Sequence, residues 1–134
     1  MASAQQFSLP DQLSKIPAAT RPTVKAAIKT VREAGARAEE ITYRSLPPSS
    51  SRTMWKIVRY AVGGANVVGI GTFPDHVTMF FYRGRELESG SDGLQGSGRD
   101  TRFVTLRTPA DAETAALKRL VRKAFRLEAA AGRR

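Results

Sequence analysis

The stretch GRELESGSDGLQGSGRDTRFVTLR, residues 84–107, carries the most information in this chain. Its first part is polar and spaced by glycines, and its last part, from Arg102, has the composition of a β-strand. An apolar run over residues 76–82 precedes it. Compact domains rarely keep so long a loop between two strands unless the loop has a function or is disordered. We therefore expect the functional surface to lie near this loop.

Short β-type runs on both sides of the loop predict an antiparallel sheet. They cover residues 41–44, 54–62, 67–73, 76–82 and 102–108. Gly63-Gly64 predicts a hairpin turn, and Pro74-Asp75 predicts a second turn. Strands joined by such short turns pair antiparallel.

Amphipathic helices are predicted before the first strand and after the last strand of the sequence. The first begins after Thr20, has Pro22 in its first turn and ends at Gly35. The last begins with a capping box that runs from Thr108 to Asp111. The predicted fold class is therefore α+β: a two-layer sandwich in which an antiparallel sheet of about five strands carries the N- and C-terminal helices on one face.

The whole chain reads as one domain. At 134 residues it can bury a core without disulfides or metals. We expect a loosely ordered N-terminal segment over residues 1–19, a single domain over residues 20–128 and a frayed tail over residues 129–134. No apolar run has the length of a membrane span, and the first residues lack the layout of a signal peptide. These patterns predict a cytoplasmic protein with no membrane partner.

The charge balance bears on the choice of partner. The chain has 22 Lys and Arg against 12 Asp and Glu, which gives a net charge of +10. Such an excess favours polyanionic partners, nucleic acid above all. The basic residues are mainly arginines spread along the chain, a distribution that is also typical of basic proteins without such a partner. Nucleic acid is therefore an alternative and not the preferred partner.

Catalytic and metal-binding patterns are scarce. The chain has no cysteine, and its one histidine, His76, follows Asp75. Neighbours on a strand point to opposite faces, so this pair does not predict a Ser-His-Asp arrangement. The carboxylates are scattered, whereas a metal site needs several converging ligands. We expect no catalysis, no metal site and no cofactor.

The loop itself offers a candidate anion site. Gly96, Ser97 and Gly98 can curl so that successive backbone N–H groups point inward, and Arg99 and Arg102 would add positive charge. The same glycines can instead serve only to allow positive φ in a bulge or wide turn, with both arginines solvated. The sequence leaves both interpretations open, and the backbone interpretation is the simpler one.

A second candidate is the sheet face that the helices leave uncovered. Side chains alternate between the two faces of a strand, and the matching sides of three strands can form this face. It then carries six aromatic and arginine residues: Trp55, Arg59, Phe80, Tyr82, Phe103 and Arg107. Such a surface can stack a ligand ring or unpaired bases. It can equally form a homodimer interface, or be covered by the N-terminal segment through Phe7, Leu9 and Leu13.

Four segments of the chain resemble the YdhG-like domain family. They are residues 60–63, residues 76–84 with their aromatic and glycine ending, residues 85–99 with a leucine followed by Gly-Leu and Gly-Ser-Gly-Arg, and the strand of residues 102–107. Their order and spacing agree with the family over residues 54–127, more than half of the chain.

The resemblance implies an antiparallel sheet packed against terminal helices. It implies no settled activity, because the family is classed as a domain of unknown function, although some members are linked to a frataxin-like iron-delivery role. The chain departs from the family at residues 88–92, where an aspartate-proline turn is common, and at Phe103, where a histidine is common. The second change removes a possible metal ligand.

These patterns together predict a non-catalytic module that binds a small molecule or anion between the loop and the aromatic sheet face. Three alternatives remain: a nucleic-acid-binding domain that uses a basic aromatic sheet face, a frataxin-like iron carrier, and a domain that forms homo-oligomers through the sheet.

Overall fold

A five-stranded antiparallel sheet forms the centre of the computed structural model, which describes residues 7–87 and 93–132. The strands are β1 (Glu39–Thr42), β2 (Trp55–Val62), β3 (Ala65–Thr72), β4 (Val77–Phe81) and β5 (Arg102–Leu106). Each strand pairs with the next one along the chain, so the spatial order is β1-β2-β3-β4-β5. The predicted antiparallel sheet is therefore confirmed.

The helices pack on one side of this sheet. They are α1 (Leu9–Lys15), α2 (Arg21–Ala34), the single turn α3 (Gly84–Leu87) and α4 (Ala115–Gly132), with a 3₁₀ turn at Ala110–Glu113. The two long helices, α2 and α4, contact each other, and both contact β3. The α+β class, with N- and C-terminal helices flanking the sheet, is confirmed. Among the helices in the described part of the chain, none has the length and apolar character needed to cross a membrane.

The main core lies between the sheet and α2 and α4. Directly paired residues share a face of a sheet, and one such row consists of Val58, Ile70, Met79 and Val104. The first three are fully buried, and Val104 packs against the core from the sheet edge. This row meets the apolar stripes of the two helices, which the sequence places at helical spacing.

The β2–β3 hairpin turn follows the sequence prediction. Gly63 has a φ of 58° and Gly64 a φ of 84°. Positive φ at both central residues is the requirement of the hairpin turn whose twist matches the flanking strands. Glycine meets that requirement without strain.

Helix α1 lies within the segment that was expected to be loosely ordered. Ser8 caps it by accepting a hydrogen bond from the Asp11 N–H, and Leu9 is buried in the main core. The side chain of Gln12 is completely buried, and its Nε2 donates to the carbonyl oxygens of Tyr43 at 3.1 Å and Ser45 at 2.9 Å. These contacts attach α1 to the chain that follows β1.

The C-terminal helix begins later and ends later than expected. The predicted capping box forms, since Asp111 N–H donates to Thr108 Oγ1 and Thr108 N–H donates to an Asp111 carboxylate oxygen. It opens the 3₁₀ turn, however, and extended backbone at Thr114 interrupts the helix. Thr114 then caps α4 by accepting from the Leu117 N–H, and α4 continues to Gly132, beyond residue 128.

An ion pair fastens the β1 edge to α2. The Arg32 guanidinium binds the Glu40 carboxylate through two hydrogen bonds of 2.7 and 2.9 Å, and the Tyr60 hydroxyl donates to the same carboxylate at 2.7 Å. The hydrogen bond from Arg32 lowers the pKa of Glu40, and burial raises the pKa of Tyr60. At neutral pH the carboxylate is therefore charged and the phenol neutral.

Candidate functional site

The face of the sheet that points away from α2 and α4 carries an aromatic and basic surface. One paired row on this face consists of Ile41, Arg59, Gly69, Phe80 and Phe103. We call the surface formed by Tyr43, Lys56, Arg59, Phe80, Tyr82 and Phe103 the open face. Lys56 is exposed, Phe80 is buried outside the main core cluster, and the other four are half-buried.

Glycines in β3 let side chains lie flat on the open face. A methyl group at Gly69 would come within 2.3 Å of the Phe80 ring, so the ring rests directly on the backbone there. Met54 covers Gly71 in the same way, with its Cγ 2.7 Å from the position of a methyl group. Because any larger residue would displace these side chains, the two glycines shape this surface.

A tyrosine pair spans the open face. The hydroxyl groups of Tyr43 and Tyr82 are 2.7 Å apart, and the Tyr82 ring meets the Phe80 ring edge-on at a centroid distance of 5.7 Å. Burial raises the pKa of Tyr82, and its hydrogen bond with Tyr43 raises it further. The Tyr82 phenol is therefore neutral at physiological pH and remains a hydrogen-bonding group.

Two cations lie among these rings. Lys56 Nζ is 5.7 Å from the centroid of the Tyr43 ring and 5.8 Å from that of Phe80. The guanidinium carbon of Arg59 is 5.3 Å from the Tyr43 centroid, and its Nε donates to Asn66 Oδ1 at 3.0 Å. These distances are in the range of cation–π attraction. The aromatic rings and the positive charge therefore occupy the same patch.

The structure brings together four of the six predicted sheet-face residues. Arg59, Phe80, Tyr82 and Phe103 share the open face. Trp55 does not, so its predicted placement there was wrong: it pairs with Thr72 and is buried in the main core.

A bulge in β2 explains the position of Trp55. Lys56 pairs with Gly71 and Val58 with Ile70, so Ile57 is an extra residue in β2. One extra residue reverses the alternation of side chains along a strand. Lys56 and Arg59 consequently share a face, although simple alternation separates them.

Arg107 also lies apart from the open face. It follows the end of β5, its N–H donates to an Asp111 carboxylate oxygen, and the residue lines a groove between β5 and α4. The N-terminal segment does not cover the open face with Leu9 or Leu13, because Leu9 belongs to the main core and Leu13 packs against that core.

The structure does not bring the residues of the predicted anion site in the loop together around one point. Arg102 is only 7 % exposed, and its guanidinium donates to the carbonyl oxygens of Gly98 at 2.6 Å and Thr101 at 3.0 Å. An anion site of the predicted kind needs backbone N–H groups that point at the anion. Here backbone carbonyl oxygens instead point at a cation, the Arg102 guanidinium. Arg99 and Ser97 are exposed at the surface.

Gly96 serves the backbone as the simpler interpretation expected, whereas Gly98 does not have a positive φ and Arg102 is buried and not solvated. Gly96 has a φ of 114°, and a methyl group there would lie 3.4 Å from the Phe103 ring. The preceding residue, Gln95, exchanges two backbone hydrogen bonds of 2.8 and 2.9 Å with Phe103. The loop therefore returns along the edge of β5. Residues 88–92 of the loop lie outside the described residues.

His76 and Asp75 do meet, contrary to the argument from strand alternation. His76 Nδ1 and Asp75 Oδ1 are 2.7 Å apart, and this hydrogen bond lowers the pKa of Asp75. Both residues precede β4, in the turn, where the alternation of a strand does not apply. The His76 ring also stacks on Phe73 at a centroid distance of 4.5 Å. The pair therefore holds the β3–β4 turn together.

Within residues 7–87 and 93–132, no group of three or more His, Asp or Glu side chains is placed to hold a metal ion. The iron-carrier alternative stays a hypothesis.

Sequence reasoning missed Lys56 and Tyr43 as members of the site. Lys56 was missed because no local signal reveals the bulge at Ile57. Tyr43 lies beyond the last paired residue of β1 and reaches the open face through its hydrogen bond to Tyr82. The presence of a tyrosine at the end of a strand was the only available signal.

Comparison of the chain with models of protein families, with characterised proteins and with solved structures gives no match. The resemblance to the YdhG-like family therefore remains a prediction, and the function must be inferred from the geometry.

Proposed function

We propose that this protein is a non-catalytic binding module whose open face holds an unpaired nucleic-acid strand. The observation that carries the proposal is the position of Lys56 Nζ within 6 Å of two aromatic centroids, on a face that also presents Arg59, Tyr82 and Phe103. Proteins that bind single strands combine such rings, on which bases stack, with cations that follow the phosphates.

The arrangement across the sheet suits this chemistry. Lys56 extends from β2 as far as the Phe80 ring on β4, and Phe103 is the direct partner of Phe80 on β5. In this proposal a base stacks on the half-buried Phe103 ring and its phosphate contacts the Lys56 ammonium. Phe103 and Tyr82 provide the stacking surfaces, while Lys56 and Arg59 provide the charge.

An extended strand suits the open face better than a free small anion does. The rings and cations lie on β2, β4 and β5 and on the residues that directly follow β1 and β4, and the glycines of β3 form the floor. A chain of nucleotides can contact the whole set, whereas a small ion contacts one part of it. The net charge of +10 supports a polyanionic partner. A small-anion site in the loop has less support, because the Arg102 guanidinium already donates hydrogen bonds to carbonyl oxygens of the loop.

The main rival surface is helix α4. Its residues Arg119, Arg122 and Arg126 are exposed and follow helical spacing, so they form a basic stripe on the other layer of the molecule. Within the described part of the chain none of these three arginines makes a cation–π contact, so the stripe predicts binding by charge alone.

Fluorescence anisotropy with labelled oligo(dT) and oligo(U) tests the proposal. Lys56→Ala should weaken binding and lower the slope of log K against log salt concentration by about one. Lys25→Ala is the matched control: it removes the same charge from an exposed position on α2 and should leave the slope unchanged. Phe103→Ala should cost about 1–3 kcal/mol of binding free energy, the usual value for loss of a stacked base.

Two results would overturn the proposal. One is the absence of binding to either oligonucleotide at low salt. The other is binding that Arg122→Ala weakens and that Lys56→Ala and Phe103→Ala leave unchanged, since this pattern assigns the contact to α4. Duplex DNA of the same length serves as the competitor, because a stacking surface needs unpaired bases.

A further inference from the structure

A pocket of about 260 Å³ lies between α1, the loop that precedes β2 and the β3–β4 turn. Its walls include the only tryptophan of the chain, Trp55, and the ring of Phe73. Four of the seven prolines also line it, namely Pro17, Pro47, Pro48 and Pro74. The pocket is separate from the open face, because Trp55 belongs to the main core and not to the row of Phe80 and Phe103.

The walls of this pocket are held in place before any ligand binds. Trp55 Nε1 donates to the Ser45 carbonyl oxygen at 3.3 Å. The Phe73 ring stacks on His76 with an interplanar angle of 16°, and His76 is hydrogen-bonded to Asp75. Proline fixes its own φ, so the proline-lined wall has little freedom to lose on binding. A preformed pocket of this kind favours affinity for a rigid ligand.

The rim of the pocket is polar, and none of the described residues that line it is acidic. It presents one ammonium group, Lys15, and four exposed hydroxyl residues, Ser49, Ser50, Ser51 and Thr53, while a fifth hydroxyl residue, Thr72, is buried in the wall. Lys15 Nζ also lies 2.9 Å from Asp11 Oδ2, so the Asp11 carboxylate offsets part of the positive charge of Lys15. Hydroxyl and ammonium groups donate hydrogen bonds, which makes an oxygen acceptor the matching group on a ligand. The flat rings of the walls match a flat ring.

We propose that this pocket binds a small planar ring that carries one carboxylate or hydroxyl group. The ring lies against Trp55 and Phe73, and its oxygen accepts hydrogen bonds from the hydroxyl groups and Lys15 at the rim. Apolar walls with a few converging polar groups are typical of small-molecule sites. For a ligand of about ten non-hydrogen atoms, the expected Kd is about 0.1–1 mM. This site is independent of the proposed nucleic-acid surface.

Trp55 provides the readout, because ¹⁵N-labelled protein has a single indole N–H signal. The full chain is titrated with benzoate, 4-hydroxybenzoate and 2-naphthoate, and with cyclohexanecarboxylate, which has the same charge as benzoate and no flat ring. The aromatic acids should shift the indole signal saturably, and cyclohexanecarboxylate should bind several-fold more weakly. The absence of a saturable shift from all three aromatic acids at millimolar concentration overturns the proposal.

A pair of matched variants locates the binding. Ser49→Phe places a ring at the rim and should abolish the shift, whereas Ser97→Phe makes the same change at an exposed position of the distant loop and should leave it intact. Thr53→Val removes one rim hydroxyl with little change of shape and should raise the Kd about fivefold. Unchanged binding in both Ser49→Phe and Thr53→Val places the ligand elsewhere and contradicts the assignment.

Discussion

The hydroxyl groups of Tyr43 and Tyr82 lie 2.7 Å apart, although the residues are 39 positions apart in the chain. Tyr43 follows β1 at one edge of the sheet, Tyr82 follows β4, and β2 and β3 lie between them. Their hydrogen bond therefore crosses β2 and β3 on the open face. The same contact contributes to stability and shapes the proposed binding surface.

Tyr82→Phe should reduce the free energy of unfolding by about 1 kcal/mol, because it leaves the half-buried Tyr43 hydroxyl without this partner. Urea unfolding measures the loss. The double variant Tyr43→Phe/Tyr82→Phe should cost less than the sum of the two single variants, since both remove the same bond. Strictly additive losses would show that the hydroxyl groups do not interact.

Stability should fall as the pH rises above about 10, the ordinary pKa of tyrosine. Burial raises the pKa of Tyr60 and of Tyr82 in the folded protein. The unfolded chain therefore releases these phenol protons first, and above that pH it binds fewer protons than the folded chain, which favours unfolding. Urea unfolding at a series of pH values tests this, and Tyr82→Phe should make the decline shallower. If stability declines as steeply in Tyr82→Phe as in the wild type, Tyr82 does not contribute to this pH dependence.

Stability should also fall as the pH drops below the ordinary pKa of glutamate, about 4.3. The hydrogen bond from Arg32 lowers the pKa of Glu40 in the folded state, so the stabilisation is present above the unfolded value and is lost through protonation at lower pH. Glu40→Gln should cost about 1–2 kcal/mol at pH 7 and remove part of the acid dependence. Glu33→Gln, on the exposed surface of α2, is the control. Identical acid profiles for wild type and Glu40→Gln would contradict this role.

Gly69→Ala should destabilise the protein by about 1–3 kcal/mol, because its methyl group would lie 2.3 Å from the Phe80 ring and must displace it. Gly98→Ala is the matched control: the nearest atom to its methyl group would be 3.8 Å away, so stability should change little. Thermal unfolding compares the two variants. Gly69→Ala should also weaken oligonucleotide binding, since Phe80 supports the open face. Equal stability of the two variants would show that Phe80 does not need the glycine.

Features that depend on neighbouring residues could be predicted from the sequence. The hairpin at Gly63-Gly64, the start of α2 after Thr20 and the capping box at Thr108 all rest on backbone preferences within a few residues. The position of Phe80 on the sheet face that points away from the core could also be predicted, because side chains alternate along β4 without interruption. Together with the helical spacing of the apolar residues, these signals were sufficient for the α+β class and the antiparallel sheet.

Only the tertiary structure decided which side chains form the site. The extra residue Ile57 in β2 moved Trp55 to the core and brought Lys56 beside Arg59, and such a bulge arises from pairing with β3. Arg102 faces its own loop because carbonyl groups of Gly98 and Thr101 surround it. Tyr43 and Tyr82 meet because two intervening strands hold them at the right distance. Periodicity is a local property of the chain, whereas register and long-range hydrogen bonds are set by how the strands pack.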